Sequence, residues 1–154
     1  MHEHPGGTKV LCNDLTKDGR TIHAAIDGSL KQTKGTFGWK LLDHHLQEIY
    51  EGAGPVDAMP SLTSCTRSEI YGIAAILEFL YQFASFHRLQ INSTITIRVI
   101  CDSETAISSA EARVSAQWER HRIMQNYDIL AHVESLLKQI PMDQIPPGQQ
   151  NRLF

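Results

Sequence analysis

Residues 21–30, TIHAAIDGSL, decide how the chain is read. Ile22, Ala24 and Ile26 alternate with His23, Ala25 and Asp27, the period-two pattern of a strand with one buried face. The run then meets an acid followed by Gly28-Ser29, so the strand is expected to end at Asp27. A second stretch, TITIRVICDSETA (residues 94–106), repeats the arrangement, with an apolar strand ending on Asp102 and Ser103 next. Two acids at the ends of two strands point to a site.

Working outward, SLKQTKG (29–35) reads as a turn with Gly35, and TFGWKLLD (36–43) as a second strand. HHLQ (44–47) reads as a turn, and QEIYEGAGP (47–55) as a third strand closed by a Gly/Pro break. Short links make these strands an antiparallel meander. A long helix follows. Ser64 or Thr66 is available to cap it, and Glu69, three residues after Thr66, completes a capping box. Ile70, Ile73, Ala74, Leu77, Leu80, Tyr81 and Ala84 share one face, and the sheet is the surface broad enough to receive it. Gly72 lowers helix propensity but lets the backbone approach that sheet closely.

The strand ending at Asp102 then pairs parallel to a neighbour through a right-handed crossover. SETAISSAEA (103–112) reads as a short helix capped by Ser103. DILAHVESLLKQI (128–140) reads as another, with Ile129, Leu130, Val133, Leu136, Leu137 and Ile140 on one face and Pro141 as its stop. The expected fold class is α/β, with a mixed sheet and helices on its faces. Residues 1–20 read as a disordered leader, 21–140 as the domain, and 141–154 as an irregular tail containing Pro146, Pro147 and Gly148. His2-Glu3-His4 has metal-ligand chemistry, but a floppy leader holds no preformed site.

Bulk properties narrow the class. The 154 residues, 42% hydrophobic and 20% charged, favour a single globular domain with a real core. Cys12, Cys65 and Cys101 are odd in number and lack CxxC spacing, so a disulfide framework or zinc site is not expected and a reducing, intracellular setting is. The N-terminus lacks the apolar core of a secretory signal. Ile70 to Phe86 carries Glu78 and Gln82 and is too short and mixed to span a membrane. A net charge of −3 and a pI near 6.2 give no global signature of a nucleic-acid binder. Local basic features are Lys31, Lys34 and Lys40 on the first hairpin, and RVSAQWERHR (113–122) with Trp118, Arg120 and Arg122. That run reads either as a phosphate- and base-contacting patch or as a solvated surface segment. His44-His45 sits at a turn and is expected to face solvent.

In a sheet of this kind ligands gather at the carboxyl ends of parallel strands. Asp27 and Asp102 then emerge at one edge, and Glu69 leans over the same spot. Converging carboxylates repel one another and raise pKa values, a conflict that a divalent cation removes. Oxygen-only ligands suit Mg²⁺ or Mn²⁺. Paired ions of that kind hydrolyse phosphodiesters. Two other classes with acids at strand ends fit less well. A phosphatase of the Asp-x-Asp type needs an acid where Ser29 stands, and an adhesion-type Asp-x-Ser-x-Ser site needs a serine where Lys31 stands.

The motifs AAIDGSL (24–30) with GTFGW (35–39), TSCTRSEIYGIAAIL (63–77), IRVICDSETAI (97–107) and YDILAHVESLL (127–137), in this order, resemble the ribonuclease H domain, most closely the type attached to retroelement reverse transcriptases. The resemblance implies a five-stranded mixed sheet of order 3-2-1-4-5. It implies Asp27, Glu69 and Asp102 as catalytic, metal-binding carboxylates and Mg²⁺ or Mn²⁺ as cofactor. The implied substrate is RNA paired to DNA, distinguished by its shape and 2′-hydroxyls. Ser29, Ser64, Thr66, Trp118, Arg120 and Arg122 are the implied nucleic-acid contacts, and Asp128 falls at a helix start, where it reads as a cap.

The pattern departs from the family at its end. The expected fifth strand, the histidine loop and the last helix with a fourth carboxylate have no counterpart, and Asp143 lies between Pro141 and Pro146 without a motif. The fourth strand is therefore expected to present an open edge. A reverse transcriptase domain or a second chain is an implied partner for it. Two functions stay open: an active hybrid-cleaving nuclease, or a degenerate fragment that binds nucleic acid or a partner without turnover.

Overall fold

The structure, a computed structural model, describes residues 1–58, 62–103, 106, 108–110 and 126–140. The elements run β1 (His2–Glu3), α1 (Gly7–Thr16), β2 (Thr21–Lys31), β3 (Lys34–Leu42), β4 (Glu48–Pro55), α2 (Cys65–His87), β5 (Thr96–Ile100) and α3 (Tyr127–Gln139). Ala106 and residues 108–110 are also helical, and the Ser103 hydroxyl accepts from the Ala106 amide at 3.2 Å, as a cap does.

The strands form one mixed sheet of order β1-β4-β3-β2-β5. β2 pairs antiparallel with β3 and parallel with β5, and β3 pairs antiparallel with β4. The expected meander and parallel fourth strand are therefore present. The fifth strand of the sheet lies elsewhere than the resemblance implied. It is β1, pairing with β4 through His2↔Glu51 and Glu3↔Tyr50 at the far edge. Among the described residues no strand pairs with the outer side of β5.

The expectation that residues 1–20 form a disordered leader is overturned. Leu11 and Leu15 of α1 are fully buried. Gly7 sits so close to β4 that a Cβ there would lie 2.5 Å from the Ile49 carbonyl oxygen. Asp14 accepts from the His44 amide at 3.1 Å, and the Leu15 carbonyl accepts from the Asn92 amide at 2.8 Å. His2 and His4 are thus ordered, with ring centroids 5.2 Å apart. Tertiary packing orders this segment, since the helix has no side-chain cap hydrogen bond.

β2 is also longer than expected. It does not stop at Asp27 but continues to Lys31, paired with β3 down to Lys31↔Lys34. The turn is the two residues between them, with Gln32 at φ 58°. The expected turn glycine, Gly35, is instead inside β3. On the other side, pairing with β5 ends at Ala25↔Ile100. Asp27 therefore lies where β2 parts from β5 while still held by β3.

The core lies between the sheet and α2. Ile22, Ala24, Ile26, Trp39, Leu41, Tyr50 and Ile97 meet Ile70, Ile73, Ala74, Leu77, Leu80 and Ala84 in one buried cluster, and Tyr81 packs at its margin. Gly72 has the expected role: a Cβ there would stand 2.4 Å from Ile26 Cγ2. Phe79 adds an aromatic seam, 5.3 Å from the Trp39 ring and 4.8 Å from that of Tyr50. α3 brings Ile129, Leu130, Val133 and Leu136 into the same core.

Asp128 is not the cap of α3. Asn126 occupies that position, without a side-chain cap hydrogen bond. Asp128 instead takes both terminal nitrogens of Arg67, one at 2.9 Å. Arg67 is buried in α2, so this bidentate pair fastens the start of α3 to the start of α2.

Candidate metal-binding carboxylate site

Ser64, not Thr66, caps α2. Its hydroxyl accepts from the Arg67 amide at 3.0 Å. Glu69 is then the fifth helical residue, beyond the first turn, and has no part in a capping box. This correction matters, because it frees the carboxylate for another task. Glu69 is 5% exposed, and its Oε2 has no hydrogen-bond partner.

Its position is set by a glycine. A Cβ on Gly28 would lie 2.7 Å from both the backbone nitrogen and the Cγ of Glu69. Only a bare backbone at that point of β2 lets α2 seat the acid directly on the strand beside Asp27. Ser68 adds a tie, donating to the Ser64 carbonyl at 3.1 Å and reaching the Ser29 carbonyl at 3.3 Å.

Asp102 follows β5 at the same distance that Asp27 lies beyond Ala25, because Ala25 and Ile100 are in register. The structure thus gathers Glu69 and Asp102 within ligand distance of each other, with Asp27 near enough to act on Glu69 electrostatically. Burial pushes the Glu69 carboxyl up; Asp102 and Asp27 push it further, and a hydrogen bond with Ser103 offsets part of the rise. Ionised, Glu69 leaves Oε2 unpartnered; protonated, it has Asp102 as an acceptor. A divalent cation would offset two of the three negative charges where a proton offsets one. The donor set of hard carboxylate oxygens fits Mg²⁺ or Mn²⁺.

Cys101 belongs to the cluster and was not singled out for the site from the sequence. Single ligand atoms of Glu69, Cys101 and Asp102 all lie within 4.8 Å of one another. The signal was its place directly before Asp102. Burial raises the thiol's pKa, and the neighbouring carboxylates add to it.

The remaining predicted residues divide. Ser29 is exposed next to Asp27 on the outer side of β2, bonded to the Thr36 hydroxyl at 2.8 Å. Two hollows meet at Asp27. One, of about 620 Å³, is lined by Asp27, Gly38, Lys40, Glu51, Ala53 and His2 among others, and the other, of about 480 Å³, reaches Ser29, Thr36 and Gly54. Ser64 and Thr66 stand at the start of α2, one turn before Glu69. Lys40 is held by Glu48 at 2.6 Å, and Lys31 and Lys34 flank the hairpin turn in solvent. His44 and His45 are exposed, as expected. Trp118, Arg120 and Arg122, with Asp143 and the 141–154 tail, lie outside the described residues.

Among the described residues no helix is long and apolar enough to cross a membrane. No family model matches the chain, and no curated protein matches it in sequence. Solved structures do match. Ribonuclease H1 from the halophilic archaeon Halobacterium salinarum is 18% identical, with 82% of this chain and 86% of that one covered at a TM-score of 0.51. LC11 ribonuclease H1, solved in complex with an RNA/DNA hybrid, is 14% identical, with 79% and 80% covered at 0.54. The foamy viral protease-reverse transcriptase, solved with double-stranded DNA, is 9% identical, with 88% and 86% covered at 0.51. With the strand order, the crossover through α2 and these matches together, the chain has a ribonuclease H-like fold.

Proposed function

We propose that the protein is a metal-dependent nuclease of the ribonuclease H type, derived from a retroelement, that hydrolyses the RNA strand of an RNA–DNA hybrid inside the cell. The observation that carries this reading is Glu69: a buried carboxylate with an unpartnered oxygen, set by Gly28 beside Asp27 and Asp102. A buried carboxylate oxygen without a partner calls for an explanation, and a bound ion supplies one.

Asp27, Glu69 and Asp102 would hold Mg²⁺ or Mn²⁺. Such ions, when bound, supply Lewis-acid charge to the attacking water and the leaving oxygen of a phosphodiester. The chain's own residues orient that chemistry. Gly28 and Ser68 fix Glu69, and the β2–β5 register sets Asp102 against Asp27. The exposed Ser29 and the hollows around Asp27 offer a surface for the nucleic-acid backbone, with Ser64 and Thr66 nearby. Trp118, Arg120 and Arg122 are proposed to add phosphate and base contacts. The resemblance to LC11 ribonuclease H1, solved on a hybrid, supports the substrate class. The resemblance to a viral protein carrying a reverse transcriptase supports such a domain, or a second chain, as a partner along β5.

The test is cleavage of a hybrid with labelled RNA by the purified chain in Mg²⁺ or Mn²⁺. Cutting that Asp27→Asn and Asp102→Asn each abolish is the expected result. A second reading, hybrid binding without turnover, draws on one observation: the cluster holds three carboxylates among the described residues, one fewer than the resemblance implies. Binding with no cutting in either metal would establish that reading and remove the first.

A further inference from the structure

The carboxylate site contains one atom that does not suit a hard cation. The sulfur of Cys101 lies with one oxygen each of Glu69 and Asp102 inside a 4.8 Å span. Cys101 is half-buried and unpaired, so no disulfide accounts for it. Glu69 brings a second, independent sign of an open coordination position, being 5% exposed with Oε2 unpartnered.

We propose that Cys101, Glu69 and Asp102 form a mixed sulfur–oxygen site that captures a thiophilic divalent cation of the zinc and cadmium class, and that this capture switches off the metal-dependent hydrolysis. The inhibitory half rests on the nuclease reading; the binding half does not. Hard Mg²⁺ binds oxygen and leaves a neutral thiol alone, whereas soft and borderline cations prefer thiolate. Binding forms a metal–sulfur bond and releases the thiol proton to solvent. Ligands about 2.0–2.3 Å from one four-coordinate ion lie roughly 3.5 Å apart. Atoms already within 4.8 Å of one another therefore need to close by at most roughly 1.3 Å to reach that spacing. Glu69 and Asp102 would serve both kinds of ion, so occupancy by one excludes the other from them. Asp27, the acid outside the 4.8 Å group, would stay free in the soft-ion state.

The experiment uses the full chain, reduced and metal-free, titrated with Cd²⁺ alone. A thiolate-to-cadmium absorption band in the ultraviolet that saturates at one ion per chain is the expected result. Cys101→Ser removes the band, while Cys12→Ser and Cys65→Ser keep it. Glu69→Gln weakens binding about tenfold or more. X-ray absorption of the wild-type cadmium complex gives a reading independent of any variant's folding: one sulfur neighbour with the rest oxygen. An all-oxygen shell, no band, or a band that survives in Cys101→Ser overturns the proposal. On a hybrid substrate, cadmium then inhibits the wild type at stoichiometric amounts, and Cys101→Ser needs at least about tenfold more. The band is read without nucleic acid, so absence of cleavage would sink the nuclease reading alone. Cleavage without a band would sink this one alone.

Discussion

Gly28 and Glu69 are in backbone contact: a methyl group on the glycine would lie 2.7 Å from the glutamate's amide nitrogen. Backbone cannot move aside as the end of a side chain can. Gly28→Ala should therefore lift the start of α2 off β2 and carry the acid with it. Overpacking of this kind costs about 1–3 kcal/mol. Chemical denaturation should show that loss, and Mg²⁺-dependent cleavage should fall by more than stability alone explains.

Gly72→Ala poses the same test where no acid is involved. Alanine improves helix propensity by about 1 kcal/mol. The new Cβ would stand 2.4 Å from Ile26 Cγ2, so the net effect should be destabilising. Ile26→Ala removes the clashing atom, and the double variant should be more stable than the sum of the two single changes predicts. Simple additivity in thermal unfolding would contradict this packing.

The proton on Glu69 gives stability an unusual pH dependence. Its folded pKa is raised above the usual 4.5, so the folded state holds a proton that the unfolded chain has released. That contribution is full below the unfolded carboxylate range and is lost as pH rises through the folded value. Metal-free protein should lose stability over that interval, and Glu69→Gln should flatten the profile and stabilise the protein at neutral pH. Adding Mg²⁺ should restore wild-type stability at neutral pH, by about 2.7 kcal/mol at one hundred times its dissociation constant. Unfolding midpoints across pH, with and without metal, measure both effects.

Asp128 titrates in the opposite sense. Its hydrogen bonds to Arg67 hold its carboxyl below the usual range. The stability it contributes is present above the unfolded value and is lost as pH falls through the folded one. Asp128→Asn leaves a buried guanidinium with a weaker partner, while water screens the exposed side of the pair. A loss of about 1–2 kcal/mol is expected, with hydrogen exchange rising first in α3.

Leu11→Ala tests whether α1 belongs to the core. Its side chain is fully buried, so truncation should cost about 2–5 kcal/mol. A surface-like change below about 0.5 kcal/mol in denaturant unfolding would return residues 1–20 to the status of a leader.

The four strands β2 to β5 and α2 were legible because alternation and helical spacing run through them, whereas the edge strand β1 was not. α1 was not: GTKVLCNDLT spreads a few apolar residues through a polar run, with a left-handed Gly6 in place of a capping side chain. What orders it is contact with β4 and the turn at His44, which no local pattern records. The hairpin turn was misplaced because Gln32 takes a left-handed φ normally signalled by Gly or Asn, while the glycine nearby serves packing. A Cβ on Gly35 would meet Ser68 Oγ at 2.7 Å. The role of Glu69 was half legible. Its position was foreseen, but Thr66 offered a cap that Ser64 supplies instead.

The pairing Ala25↔Ile100 has a consequence of its own. In a strand, side chains alternate between faces, so a slip of β5 by one residue would turn Asp102 away from Asp27. The same slip would put Arg98 where Ile97 is buried. Under the proposed nuclease reading, catalytic competence and correct strand alignment would be a single event. A molecule that cleaves would, by doing so, certify its own folding, and turnover would serve as a proofreading assay for the sheet.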